Sequence, residues 1–553
     1  MSRRLVIMGI DGGTLDLIRP WAQAGILPTL GRLLQEGVSG TLRSTTPPLT
    51  PPAWTSFQTG VNPGKHGVFD WYIRAEGSYG TSVVDSRAIQ CPTLWEVIGA
   101  QGRKVGVMHL PVSYPVRPVN GFWISGMLTP PGRSDFAFPA EVGHELKEVA
   151  GYPLAPPIWT RGCSVSRWIA ELKDTIQARG RATLHFVETH TWDALMVHFI
   201  ESDIVQHSMW DTLARDFYQN PIVEVYQELD NVLGQLVGRL EDDTAILVVS
   251  DHGAGPGSLS CFYLSHWLRR EGYLVLKGDF PTSVKKAAYR VGLTPERLYA
   301  LGTGLYALAT RLGMRKIPWD PVIAESRQNF FNKFVLSPEN VDWSRTRAYC
   351  YGDSGKVNLN VKGREPQGCV EPRETEALRE ELIERLNGLV SPLSGKLVGR
   401  ALRREDLYWG EQSDRAPDLL FVPADMGAEN VVGSERLVSN KVFGGDMLRL
   451  PGRHRMEGVL LARGEGFKRG AAVEGASILD LSPTILYYLG LAIPTYMDGR
   501  VLEQVFTQDF LGGNPAVFRD DPSYAAYASE GRDLSQTEEA AVRTRLEELG
   551  YLG

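Results

Sequence analysis

The 553-residue sequence has few cysteines, no long apolar run and no excess of positive charge. Its cysteines lack CxxC spacing, which argues against a disulfide framework and a structural zinc knuckle; they are Cys91, Cys163, Cys261, Cys350 and Cys369. No run approaches the ~20 apolar residues of a membrane-spanning helix. Only five apolar residues lie between Arg4 and Asp11, too few for the core of a signal peptide. These absences predict a cytoplasmic protein without a transmembrane segment.

The formal net charge of -7 leaves no basic field that would attract a nucleic acid polymer or an anionic membrane. We therefore expect a small-molecule partner. Two basic amphipathic stretches, residues 283–293 and 305–319, admit a peripheral membrane contact, but packing onto the rest of the protein is the favoured interpretation.

Short β-rich apolar runs alternate with longer amphipathic segments along most of the chain. This alternation predicts an α/β fold with a mostly parallel central sheet and helices on both faces. The predicted strands are residues 4–10, 104–110, 193–200, 244–250, 418–423 and 458–462. Helices are predicted around residues 27–37, 221–240 and 477–491.

The alternation of strands and helices ends after residue 256. This change predicts an inserted α+β cap with a strand in "KVNLNVKG" (356–363) and a helix near 373–389. We expect residues 1–255 to form the first part of the core, 256–415 the cap and substrate-specificity region, and 416–505 the second part of the core. Residues 506–553 are predicted to be a polar, peripheral tail.

Acidic residues and histidines follow several predicted strands directly. Asp11 follows the first strand, Asp203 follows "DALMVHFIES", and Asp251 and His252 follow "TAILVVS". Any one of them alone would be explained by a turn or a helix cap. In a parallel sheet, however, all of them meet at the carboxyl edge, where ligands bind in such folds.

The spacing of these side chains suits a metal site. Asp203 and His207 are four residues apart, which places both on one side of a helical turn. Carboxylate oxygen and imidazole nitrogen suit zinc, manganese or iron. His454 is weaker as a candidate ligand because it is isolated. Five other histidines lack an acidic partner at ligand spacing and are interpreted as structural: His144, His185, His190, His198 and His266.

Six motifs in order resemble the type I phosphodiesterase/nucleotide pyrophosphatase branch of the alkaline phosphatase superfamily. They are "GIDGG", "LTPPAWTSFQTGVNPGKHG", "ESDIVQH", "VVSDHG", "GRHRMEG" and "SILDLSPTILYYLGLAIPTYMDGR". The resemblance implies an alkaline phosphatase-like core and two divalent metal ions, zinc first and manganese as the alternative. One metal would be held by Asp11, Thr50, Asp251 and His252, and the other by Asp203, His207 and His454.

The resemblance also implies that Thr50 is the nucleophile and forms a covalent phospho-threonine. A hydroxyl is almost fully protonated at neutral pH and needs a metal to become reactive. Prolines 47, 48, 51 and 52 restrict the loop around Thr50. We expect a helix in "PAWTSFQTG", with Thr50 just before its start, where free N–H groups favour an anion, and Gly60 at its end.

Departures from the family pattern leave the substrate open. The frame from Thr50 to Trp54 lacks the cysteine or serine and the arginine of sulfatases, so hydrolysis of sulfate esters is disfavoured. Where nucleotide pyrophosphatases have a phosphate-binding asparagine, this chain has Trp71 preceded by Asp70. Lys356, Asn358 and Asn360 are candidate substrate contacts, against the alternative of exposed positions on an edge strand.

Three functions compete at this point. The leading one is a metal-dependent phosphohydrolase that cleaves a phosphodiester or pyrophosphate bond in a nucleotide-like small molecule. The second is a phosphomonoesterase or phosphomutase with the same site. The third is a noncatalytic protein that binds a phosphate ligand, although the complete ligand sets argue against a degenerate enzyme.

Overall fold

The structure of the protein is a computed structural model. It describes residues 3–74, 77–149, 152–159, 164–241, 243–258, 260–294, 297, 335–352, 354–427, 430–434, 436–437, 439–445, 450–521 and 534–549. The predicted basic stretch 305–319 lies outside these residues.

Twenty-two strands are found in the described residues. They are β1 (Arg4–Ile10), β2 (Val38–Arg43), β3 (Tyr72–Arg74), β4 (Thr81–Val83), β5 (Val105–Met108), β6 (Gly121–Ile124), β7 (Ala137–Phe138), β8 (Ala194–Phe199), β9 (Thr244–Val249), β10 (Gly253–Pro256), β11 (Ser260–Tyr263), β12 (Ala348–Tyr349), β13 (Lys356–Leu359), β14 (Gly399–Arg403), β15 (Leu419–Pro423), β16 (Asn430–Val432), β17 (Phe443–Gly445), β18 (Gly452–Arg455), β19 (Glu457–Arg463), β20 (Ala471–Ser477), β21 (Ile493–Pro494) and β22 (Phe518–Arg519).

The α-helices of the described residues connect and cover these strands. They are α1 (Leu15–Gln23), α2 (Pro28–Glu36), α3 (Thr50–Thr59), α4 (Pro63–His66), α5 (Leu94–Ala100), α6 (Ala140–Glu148), α7 (Val165–Thr189), α8 (Glu201–Met209), α9 (Pro221–Val237), α10 (Leu264–Arg270), α11 (Phe280–Arg290), α12 (Thr375–Asn387), α13 (Leu481–Tyr488), α14 (Gln508–Gly513) and α15 (Gln536–Leu549).

A nine-stranded sheet in the order β20-β2-β19-β9-β1-β8-β5-β6-β7 forms the centre of the molecule. All pairings are parallel except those of β19 with its two neighbours and of β7 with β6. Along β1, Val6 and Met8 join one apolar cluster, whereas Leu5 and Ile7 join another on the opposite face. This two-sided burial explains the continuous apolar runs of the sequence and confirms the predicted mostly parallel sheet.

The inserted region leaves the core after β10 and returns on β18, and these two strands pair antiparallel. The insertion has its own apolar cluster and a four-stranded sheet in the order β12-β13-β15-β14. The predicted strand 418–423 therefore belongs to the cap sheet, not to a second part of the core beginning at residue 416. Leu419 and Phe421 are fully buried, a pattern that central and cap strands share, so the sequence did not distinguish them.

The C-terminal region is attached more firmly than its polar composition suggested. Val542, Leu546 and Leu549 of α15 are buried in the core cluster because their spacing places them on one side of a helix. In the part of the chain that the structure describes, no helix is long and apolar enough to cross a membrane.

Candidate metal centre

The candidate ligands meet at the carboxyl edge of the central sheet, as their positions in the sequence predicted. Asp11 follows β1, and Asp251 and His252 follow β9. Asp203 lies in the first turn of α8, after β8, and His454 lies on β18 beside the returning end of the cap. The sheet thus gathers residues that are more than 400 positions apart.

Thr50 lies in the first of two ligand groups. Its Oγ1 is 3.3 Å from His252 Nε2, which is itself 3.2 Å from Asp251 Oδ2 and 3.7 Å from Asp11 Oδ1. Atoms bound to one zinc at 2.0–2.1 Å in a tetrahedron lie about 3.3 Å apart. The spacing of these side chains therefore suits a single metal ion.

The second group is formed by Asp203, His207 and His454. Asp203 Oδ2 is 3.2 Å from His207 Nε2, and Asp203 Oδ1 is 3.6 Å from His454 Nε2. The two imidazole Nε2 atoms are 2.9 Å apart. The ligand atoms of Asp203, His252 and His454 also lie within 4.8 Å of one another. The two groups are therefore adjacent.

The backbone fixes the tautomer of all three histidines. The Nδ1 atoms of His207, His252 and His454 donate to the carbonyl oxygens of Gly452, Gly253 and Pro48, at 2.9, 3.0 and 2.8 Å. A carbonyl oxygen can only accept, so Nδ1 carries the proton and, in a neutral ring, Nε2 presents a lone pair. Three lone pairs then converge on the site, as metal-ligating histidines require.

Two carboxylates of the first group each have one oxygen engaged and one oxygen without a hydrogen bond. Asp11 Oδ2 accepts from Trp54 Nε1 at 2.9 Å, and Asp251 Oδ1 accepts from the Gly12 N–H at 3.2 Å. Asp11 Oδ1 and Asp251 Oδ2 are buried and have no hydrogen-bond partner among the residues that the structure describes. A buried carboxylate oxygen without a partner is unfavourable unless a cation binds it, so these residues fit a divalent metal.

The pKa values of the site residues are shifted by burial and by the charges of neighbouring site residues. Burial and the nearby Asp203 raise the pKa of Asp11 well above its ordinary value, and burial with Asp11 and Asp203 does the same for Asp251. Burial would also raise the pKa of Asp203, but His207 and His454 hold it well below its ordinary value. Burial, with His454 nearby, lowers the pKa of His252. Without a cation, the carboxylates of the site repel one another.

Thr50 is fully buried and occupies the first position of α3, which begins two residues before the predicted start at Pro52. The next two residues, Pro51 and Pro52, have no N–H, and the Ala53 N–H donates to Leu49 O at 3.0 Å. The expected binding of an anion by free N–H groups of this turn is therefore not supported. Gly60 ends the helix with a φ of 66°, as predicted.

Two residues that contact Asp11, His198 and Trp54, were not predicted to be parts of the site. His198 was interpreted as structural, yet its Nε2 is 2.8 Å from Asp11 Oδ2, the oxygen to which Trp54 donates. Gly9 pairs with His198 in the sheet, and a Cβ at Gly9 would lie 2.7 Å from the Trp54 ring. The single glycine in an otherwise apolar strand was the available signal for this close approach.

The candidate substrate contacts of the cap occupy an interior position. Lys356 Nζ bonds to Asp70 Oδ2, and both side chains are almost fully buried. Asn358 and Asn360 are also buried, and β13, which contains Asn358 and ends just before Asn360, lies between β12 and β15. The alternative of exposed positions on an edge strand is therefore wrong. Trp71 lines a cavity next to His207 and His454.

His66, near the end of the motif "LTPPAWTSFQTGVNPGKHG", has a structural environment. Its Nδ1 accepts from the Val68 N–H at 3.1 Å, which leaves the proton on Nε2 to donate to Ser56 Oγ at 2.9 Å. Burial lowers the pKa of His66 to about 3. The neutral side chain therefore connects α3 to the turn after α4.

Comparison with known proteins is consistent with this geometry. The family model described as type I phosphodiesterase / nucleotide pyrophosphatase matches residues 5–429. No curated protein matches. A similar solved structure is phosphonoacetate hydrolase from Sinorhizobium meliloti in complex with phosphonoacetate, at 15% identity and a TM-score of 0.50, covering 88% of this chain and 96% of that one.

Two further structures are similar over 92% of this chain and 100% of their own. Human ectonucleotide pyrophosphatase / phosphodiesterase 5 has 14% identity and a TM-score of 0.48, and the inactive murine protein in complex with AMP has 12% and 0.49. Identities this low concern the fold alone. The predicted α/β core is shared with the phosphonoacetate hydrolase structure.

Proposed function

Because the chain belongs to the type I phosphodiesterase/nucleotide pyrophosphatase family, and is thus a hydrolase of phosphoric ester bonds, we propose that it cleaves phosphodiester or pyrophosphate bonds with Thr50 as nucleophile. The observation that carries this proposal is the convergence of Thr50 Oγ1, His252 Nε2 and two buried carboxylate oxygens without hydrogen bonds. A hydroxyl in this position is the one group of the cluster that can form an ester with phosphate.

The two ligand groups suit two divalent cations, zinc first and manganese as the alternative. Bound metals would neutralise the carboxylates, favour the alkoxide form of Thr50 and offset the negative charge of the phosphate. Asp11, Asp251 and His252 would hold the ion next to Thr50. Asp203, His207 and His454 would hold the other.

The protein itself positions the Thr50 hydroxyl and shields it from bulk water. Thr50, Asp11, Asp251 and His252 have no exposed surface, so the hydroxyl is held in a dry, pre-arranged site. Thr50 Oγ1 forms a bond to phosphorus while the bond to the leaving oxygen breaks. The Thr50 hydroxyl gives its proton to water, and the leaving oxygen takes a proton from water and departs as an alcohol or phosphate. Water then breaks the bond between Thr50 Oγ1 and phosphorus, which releases a phosphate monoester and restores the hydroxyl.

The decisive test uses bis(p-nitrophenyl) phosphate and p-nitrophenyl phosphate with added zinc or manganese. We expect the diester to be the better substrate; a strong preference for the monoester would favour the phosphomonoesterase or phosphomutase alternative. Thr50→Ala should lower kcat by at least about a thousandfold, whereas Thr50→Ser should retain measurable turnover.

Metal content, measured on the same variants, separates a lost nucleophile from a lost fold. Thr50→Ala keeps three of the four ligands of the first group, Asp11, Asp251 and His252, and the complete second group, so it should bind metal. Turnover of neither ester by the metal-loaded wild type would favour the noncatalytic alternative.

A further inference from the structure

A cavity of about 130 Å³ opens between the cap and the candidate metal centre. One end is formed by His207 and His454. Leu49, from the loop before Thr50, contributes one wall, and strands β15 and β16 of the cap contribute the other. The cavity therefore adjoins the place where an ester would react.

The wall on the cap side is mostly apolar, with Ser354 and Asn430 as its polar members, and Arg453 of β18 also lines the cavity. Phe421 is fully buried, Val431 is 8% exposed, and Val432 and Met426 are half-buried. Asn430, which also lines the cavity, donates its Nδ2 hydrogen to Ser258 O at 2.9 Å. A nucleobase has N–H and C=O groups on its edge, and burying them against apolar side chains without partners is unfavourable.

The volume limits the occupant. A dry apolar cavity of about 150 Å³ in a protein is known to accept one benzene molecule. The cavity found here is slightly smaller, so it matches one six-membered ring or a short alkyl chain. A purine with its ribose is larger than this space.

The cavity adjoins the ligand group that does not include the nucleophile. Thr50 is next to His252, in the group with Asp11 and Asp251, and none of these four residues lines the cavity. The cavity instead reaches His207 and His454 of the other group. In an in-line displacement the leaving oxygen is opposite the attacking oxygen, so the cavity is placed to receive the leaving group.

We propose that this cavity binds an apolar aryl or short alkyl group on the leaving side of the ester, and that the preferred substrate carries such a group there instead of a nucleobase. This inference rests on the proposed function, because the direction of attack is defined by Thr50. It specifies the chemical class of the leaving group.

Competitive inhibition of the zinc-loaded enzyme by methyl-, n-butyl- and benzylphosphonate tests the inference without depending on leaving-group reactivity. Burial of one methylene favours binding about fourfold, so n-butyl- and benzylphosphonate should inhibit at least about tenfold more strongly than methylphosphonate. AMP should inhibit less strongly than benzylphosphonate. Equal inhibition across the series, or tighter binding of AMP, would overturn the inference.

Val432→Phe fills the cavity from a half-buried position and serves as the specific variant. It should raise the inhibition constant of benzylphosphonate by at least about tenfold and leave that of methylphosphonate nearly unchanged. Val517→Phe is the control, because Val517 is 58% exposed and does not line the cavity. A loss of affinity that is equal for both phosphonates, or equal in both variants, would also contradict the inference.

A second variant keeps the inference testable if Val432→Phe does not fold. Met426→Ala enlarges the cavity and should shift the preference toward a larger ligand, naphthylmethylphosphonate. If the wild type turns over no ester at all, the proposed function fails. If it turns over bis(p-nitrophenyl) phosphate but the phosphonate series is flat, only the inference on the leaving group fails.

Discussion

Two buried carboxylate sites in this molecule differ in whether the protein itself compensates their negative charge. Asp70 is paired with Lys356 at the junction of core and cap, so the charge of each side chain is compensated by the protein itself. Asp11 and Asp251 lie close to Asp203 and keep two buried oxygens without hydrogen bonds. A compensated buried charge is a structural element, whereas an uncompensated one indicates a site that suits a cation. The difference identifies the candidate metal centre more directly than residue type alone.

Replacing Asp251 by asparagine should have the largest effect. The change removes a ligand, so we expect loss of about one bound metal per chain and a fall in kcat of at least about a thousandfold. The metal-free protein should become more stable, because one of the repelling buried carboxylates is gone. Metal analysis and urea unfolding with a chelator measure the two outcomes.

Asp230→Asn is the matched control for that experiment. Asp230 is buried, and its two oxygens accept from the Thr29 and Leu30 N–H groups at 3.0 and 2.7 Å. Its replacement should destabilise the protein without changing metal content. A metal-free Asp251→Asn variant that is less stable than the metal-free wild type would contradict the comparison.

Asp70→Asn should act in the opposite direction from Asp251→Asn. It leaves Lys356 buried without its opposite charge, and breaking a buried pair in this way destabilises a protein by about 3–5 kcal/mol. Metal content should remain that of the wild type. Urea unfolding checks the prediction, with Asp414→Asn as control because the Asp414 side chain is 93% exposed. A shift of less than about 1 kcal/mol would show that the Asp70–Lys356 pair is not a structural element.

Trp54→Phe sharpens the comparison by removing one hydrogen bond from Asp11. The ring remains, but the Nε1–H that holds Asp11 Oδ2 is lost. Loss of a partner that orients a ligand lowers metal affinity by about ten- to a hundredfold, as competition with a chromogenic chelator would show. Trp95→Phe is the control, since Trp95 is also buried but donates to Gln58. Unchanged affinity in Trp54→Phe would mean that His198 alone is sufficient to orient Asp11.

His66 provides the smallest expected effect, since it is buried in a neutral state. The unfolded chain binds a proton near pH 6.5, whereas folded His66 titrates at about 3. The stabilisation is therefore complete above pH ~6.5 and is lost as the pH falls from there toward 3. Between pH 7 and pH 6, the wild type should lose about 0.7 kcal/mol more stability than His66→Gln in urea unfolding. Equal losses would exclude this role.

The sequence predicted the sheet and the proximity of the ligands because both follow from the positions of residues relative to strand ends. Asp11, Asp251 and His252 come directly after strands, so a parallel sheet brings them together. His454 was harder to place, because the pairing of β18 with β10 joins segments on either side of the whole cap.

The partners of Asp11 could not be predicted from spacing. His198 is separated from Asp11 by 187 positions, and their contact depends on the register of β1 and β8 and on the space left by Gly9. The same limit applied to Lys356, whose alternation with apolar neighbours fitted an exposed face as well as a polar junction. Side chains that contact each other across elements are specified by packing, which local patterns do not encode.

The pairing of strand β2 determines how late in translation the central sheet can form. Its partners are β19 and β20, which begin at residues 457 and 471. A ribosome-bound chain of 255 residues already contains Asp11, Thr50, Asp251 and His252, but its β2 has neither partner and one edge of β9 is open. The central sheet can therefore close only after the cap has been synthesised, which leaves unpaired strand edges exposed to aggregation during translation.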